Sequence, residues 1–128
     1  MFRIEIIGEN CLYVKTLGTF PKSVAKRFVK EFEEKTKDYK NFCAIIDNLD
    51  AILLDLRSFN IILDLLKKNN EKLGKAAYVI SASNLPLDKE FQILLERAES
   101  PDRKIVHNLD EAKKWVGIED IIIPHHNE

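Results

Sequence analysis

With 128 residues, the chain is long enough for one domain that buries a core without disulfide or metal staples. Its 45% hydrophobic and 32% charged residues argue against disorder, and a formal net charge of -1 with Lys and Glu interspersed argues against an electrostatic nucleic-acid binder. Cys11 and Cys43 lie in apolar contexts and are too few for a disulfide framework, so both are expected to be buried and reduced; nothing resembles a leader or a transmembrane segment, so a cytoplasmic address is the default expectation.

Phe2 to Ile7 alternates apolar and polar residues, the period of a half-exposed strand, and Gly8-Glu9-Asn10 turns it. Cys11 to Leu17 then pairs back as the second arm of an antiparallel hairpin. Gly18-Thr19-Phe20-Pro21 reads as the end of that strand and the start of a helix, with Thr19 as cap and Val24, Ala25, Phe28, Val29 and Phe32 as its apolar stripe. The opposite face, rich in Lys and Glu, reads as solvated.

The stretch from Asn41 to Lys75 organises the rest. Phe42-Cys43-Ala44-Ile45-Ile46 is a continuous apolar run bounded by Asp47-Asn48, the signature of a strand buried on both faces. A connection from Leu49 to Leu56 leads to a helix that begins near Phe59 and runs to Leu73, where Gly74 stops it; Ala76 to Ile80 is the next buried strand. Strand, helix and strand so close together make a right-handed crossover between parallel strands. Ser81 to Pro86 is rich in turn residues, Leu87 to Glu99 is a third helix, and Arg103 to His107 is an edge strand with charged flanks. Asn108 and Glu111 have the spacing of a capping box for a last helix that Gly117 ends. The Ile121-Ile122-Ile123 triplet has no clear place: it could add a strand, pad a groove, or reach a second subunit.

The order β-β-α-β-α-β-α-β-α resembles the STAS and SpoIIAA-like families, the small domains of anti-sigma-factor antagonists and sulfate-transporter tails, over residues 1–118, with 119–128 as a C-terminal tail. The resemblance implies one α/β domain with a mixed sheet of about five strands. In those families an Asp-Ser-Ser/Thr-Gly loop opens the helix after the third strand, and its first hydroxyl accepts phosphate. The matching segment is Asp55-Leu56-Arg57-Ser58: the aspartate is present, Leu56 stands at the phosphoacceptor position, and Ser58 stands at the glycine position. Leu109 to Val116 also looks like the acidic-Glu-Ala-x-x-Trp-Leu ending of SpoIIAA-like proteins. What the resemblance implies is a non-catalytic regulatory module that binds a protein partner or a second copy of itself and lacks the regulated serine. The alternative is a carrier of a small molecule or lipid.

The candidate docking residues are Asp55, Arg57, Ser58, Ile61 and Leu65. Ser58 could take phosphate at the helix N-terminus beside Arg57, or could cap the helix in competition with Asp55. Ile61 and Leu65 widen the apolar arc of the helix beyond what one sheet face needs, so a neighbouring helix or a partner should cover them. His107, His125 and His126 are too scattered for a metal site, the four glycines form no phosphate loop, and no nucleophile has a base and an orienting group in reach; no cofactor and no catalytic residue are therefore expected. A carrier would need an apolar pocket, which Phe28, Phe32, Phe59, Phe91 and Trp115 would tend to fill.

Overall fold

The computed structural model describes residues 1–123. The elements are β1 (Phe2–Ile7), β2 (Cys11–Phe20), α1 (Lys22–Thr36), β3 (Phe42–Leu54), α2 (Leu56–Lys68), β4 (Leu73–Val79), α3 (Leu85–Ala98), β5 (Arg103–Val106) and α4 (Leu109–Val116). They build a mixed sheet in the order β1-β2-β3-β4-β5, antiparallel between β1 and β2 and parallel across the other three pairs. This is the order and the sheet type that the sequence pattern implied.

Period-two alternation sorts the strand residues onto two apolar faces. Leu12, Val14, Ala44, Ala76 and Tyr78 point to the first, where α1, α2 and α3 lay down Phe28, Phe32, Phe59, Leu66, Phe91 and Leu94. Tyr13, Ile45, Ala77, Val79 and Val106 point to the second, which α4 covers with Leu109 and Ala112. Burial on both faces explains why the central strands read as unbroken apolar runs. Phe28 ties the first layer together: its ring centre lies 5.3 Å from Phe2, 5.7 Å from Phe20 and 5.7 Å from Phe32.

β2 and β3 are longer than their sequences suggest. The expected connection from Leu49 to Leu56 is mostly strand, because β2 and β3 stay paired through Phe20 and Leu54. Gly18 does not end β2; its φ of 67° lies beside the register shifts between Lys15 and Leu17 and between Gly18 and Phe20, where the left-handed backbone of a bulge suits glycine. Thr19 therefore lies in the strand and caps nothing, and Pro21 precedes α1 without a side-chain cap. Asp47 and Asn48, which look like turn residues, have cross-strand partners instead. Tyr13 Oη donates to Asp47 Oδ2 at 2.5 Å, Lys15 Nζ lies 3.4 Å from the same oxygen, and Thr16 Oγ1 donates to Asn48 Oδ1 at 2.6 Å.

Two further expectations are corrected. Cys11 and Cys43 are register partners on neighbouring strands, with Cα atoms 4.5 Å apart, and their sulfurs are joined in a disulfide; only Cys11 is fully buried. Their separation of 32 positions hides a contact that strand pairing creates. In the capping box of α4, Asn108 Oδ1 accepts from Glu111 N at 2.8 Å, but Glu111 Oε1 takes the amide of His107, at 3.1 Å, rather than the cap's own. The isoleucine triplet also finds a place: Ile123 is buried and Ile121 packs against the second face, while Ile122 points outward. His125 and His126 lie outside the described residues. Among the described residues, no helix is long and apolar enough to cross a membrane.

The two buried tyrosines make the fold sensitive to alkali. Burial, then the hydrogen bond to Asp47, hold the Tyr13 phenol well above its ordinary range, and burial pushes Tyr78 up to about 12. Both stay protonated in the folded chain while the unfolded chain loses these protons near pH 10, so stability falls as pH rises above 10. Two such groups should cost about 2.5 kcal/mol between pH 9 and 11. Urea unfolding at both pH values checks this, and Tyr78→Phe should roughly halve the loss.

Candidate functional site

β3 stops pairing with β4 at Asp47, opposite Val79, yet remains paired with β2 as far as Leu54. A two-stranded extension therefore projects at the carboxyl end of the sheet. Its apolar residues lack a full cover: Leu17 is 42% exposed, Ile52 57% and Leu53 48%. The chain then turns into α2, where Asp55 caps the helix by accepting from Arg57 N at 2.8 Å. Leu56, at the first helical position, is 77% exposed.

The start of α3 is tied to the same place. Asn84 caps α3 through Leu87 N at 3.2 Å, and its Nδ2 donates to the carbonyls of Ala51 and Ile52, both at 3.3 Å. Glu90 Oε1 accepts from Leu54 N at 3.0 Å, and burial pushes its carboxyl above the usual range while that amide opposes the shift. These bonds bring Leu85, 70% exposed, to the end that carries Ile52, Leu53 and Leu56. The result is an apolar rim around the first turns of α2 and α3.

Beneath the rim, between the sheet and α1 to α3, lies a cavity of about 60 Å³. Its wall is almost wholly hydrocarbon, with Phe28, Phe32, Ile62, Leu65 and Phe91 among the lining, and Thr16 and Asn48 as a mutually bonded polar pair. Leu53 belongs both to this wall and to the exposed rim. The volume is several-fold below the roughly 300 Å³ of a small ligand pocket. Phe28, Phe32 and Phe91 fill the space, as their size suggests; Phe59 packs in the same core, and Trp115 lies on the other face.

The five sequence-based candidates separate. Asp55 and Arg57 sit at the rim, with Arg57 Nε 3.6 Å from Asp55 Oδ1. Ser58 lies inside: it is 0% exposed and donates to Phe20 O at 2.5 Å, fastening α2 to the end of β2. Asp55 holds the cap position for which Ser58 was the competitor. Leu65 is buried, 3% exposed, and Ile61 is half-buried against the first-face core, so neighbouring helices supply the cover that their wide apolar arc called for. Ile52, Leu53 and Leu85 escaped sequence reasoning. Their signal was the apolar Ile52-Leu53-Leu54 triplet inside an expected loop and a leucine, Leu85, standing before Pro86 in a polar turn.

No protein-family model matches the chain, and a search of curated proteins likewise returns no match. Among solved structures, the chain is similar to an uncharacterized protein of the DUF3478 family from Shewanella loihica PV-4, described as having a SpoIIAA-like fold. The TM-score is 0.71, over 90% of this chain and 93% of that one, at 17% identity. A likeness at that identity shows the fold, and the fold of this chain is SpoIIAA-like.

Proposed function

We propose that this domain is a non-catalytic regulatory module that docks a protein partner, or a second copy of itself, on the apolar rim at the starts of α2 and α3. The observation that carries the reading is Leu56, 77% exposed at the first position of α2; in the families the sequence resembles, the matching position carries the phosphoacceptor hydroxyl. A leucine in that position, beside Ile52, Leu53 and Leu85, offers a desolvating contact in place of a phosphate. Docking is then constitutive and needs no kinase.

Leu56→Glu combined with Leu85→Glu tests it. Both positions lie in first helical turns, where an acidic side chain suits the helix dipole, so unfolding stability should stay within about 0.5 kcal/mol of the parent. Association should weaken by at least about tenfold, read by sedimentation equilibrium for self-assembly and by quantitative affinity enrichment for a second protein. Equal association by parent and variant in both measurements would sink the reading.

The carrier reading keeps one observation in its favour, the hydrocarbon-lined cavity beneath the rim. Its volume requires α2 or α3 to move before a ligand enters. A co-purified small mass in native mass spectrometry would favour it over protein docking.

A further inference from the structure

We propose that Cys11 and Cys43 form a reversible dithiol–disulfide couple that small-molecule thiols enter through Cys43, and that its state sets how firmly residues 118–123 are held on the sheet. The sheet itself keeps the two sulfurs together. Cys11 and Cys43 face each other in the β2–β3 register, and this end is closed by hydrogen bonds that do not involve sulfur: Cys43 N donates to Asn10 O at 3.0 Å, and Asn10 Nδ2 to Asn41 O at 3.1 Å. Strand pairing therefore survives when the bond opens, and the thiols stay poised to close it again.

The two sulfurs are not equivalent. Cys11 is 1% exposed among Ile7, Tyr13, Ile45 and Ile123, whereas Cys43 is only half-buried. An external thiolate enters at Cys43, the more exposed residue of the pair. Its attack forms a mixed disulfide there, breaks the bond to Cys11, and leaves the electron pair on Cys11 Sγ, which takes a proton from solvent. A second thiolate attacks the external sulfur of the mixed disulfide and releases Cys43 as the thiol after protonation. Cystine gains two electrons, and two small thiols become one disulfide. In the oxidising direction Cys11 must attack as a thiolate, which apolar surroundings disfavour, so ring closure is the slow step.

The reduced sulfurs stand apart at van der Waals contact, and something packed against them must yield. β2 and β3 are held by their ladder. The covering segment is not: Ile123 and Ile121 touch the same apolar face, the segment is tied to α4 only at its start, where Ile118 N donates to Lys113 O at 3.0 Å, and the Ile121 amide bonds within the segment, to Ile118 O at 2.9 Å. Reduction thus loosens residues 118–123 first.

The test equilibrates the full chain in glutathione buffers of graded ratio, followed by acid quench, alkylation and intact mass. A single two-electron transition is expected, with hydrogen exchange over residues 118–123 faster in the reduced form. Cys11→Ser should take up glutathione at Cys43 at least about tenfold faster than Cys43→Ser does at Cys11. The proposal fails if the parent chain stays wholly bonded or wholly reduced at every ratio, if exchange over residues 118–123 is the same in both forms, or if the two variants react alike. The parent-chain measurements stand even if a variant folds poorly.

Discussion

Replacing Ser58 by Asp should destabilise the domain by roughly 4 kcal/mol or more, a large share of what a small domain has. Ser58 is fully enclosed under the first turn of α2, with its hydroxyl donating to Phe20 O. A carboxylate there meets a carbonyl where a donor is needed, and it loses its hydration. The free amides of the α2 N-terminus offset part of that cost. Ser58→Ala leaves only the Phe20 carbonyl short of a partner and should cost about 1–3 kcal/mol. Urea titrations followed by circular dichroism measure both. An aspartate variant as stable as its parent would mean that the site opens easily, and would return Ser58 to the list of residues a kinase could modify.

Asp47→Ala should cost about 3–5 kcal/mol, because it strips a buried network of its centre. Asp47 is 1% exposed; its Oδ2 receives the Tyr13 hydroxyl at 2.5 Å and lies 3.4 Å from Lys15 Nζ, and its Oδ1 accepts Leu49 N at 3.0 Å. Alanine leaves a buried phenol and an amide without an acceptor. Lys15 fares better, since Asp50 remains 2.7 Å away. Asp47→Asn keeps an acceptor in place and should cost no more than about 2 kcal/mol. A thermal or urea series in which alanine and asparagine are equally mild would show that the network is wetter than its burial indicates.

That network also marks the boundary of what the chain discloses when read in order. Local codes were legible because they act over a few residues: the alternation of β1, the apolar run at Phe42 to Ile46, Asn108 and Gly117 at the two ends of α4. The carboxyl halves of β2 and β3 were not. Asp47 and Asn48 punctuate the sequence, but Tyr13 and Thr16, more than thirty positions earlier, convert them into strand residues. The same blindness hid the Cys11–Cys43 pair, and it did not reveal that Ser58 and Leu65 lie inside the fold. Helix periodicity identified Leu65 as apolar, but only the packing of α1 and α3 around α2 decides that it is core and that Leu56 is surface. Rim residues belong to three separate elements, so no single window of sequence contains them.

The strand order runs from β1 to β5 without reversal, and each crossover from β2 onward steps to the next strand in the same direction. Right-handed crossovers that always advance the same way deposit their helices on the same side, as the packing of α1, α2 and α3 on one face records. The sheet is in this sense singly wound. A doubly wound sheet opens a crevice where successive crossovers diverge to opposite sides, and nucleotides settle there. Here the crossovers never diverge, so that crevice is not built, and a guest entering this sheet's carboxyl end must part a helix from the strands.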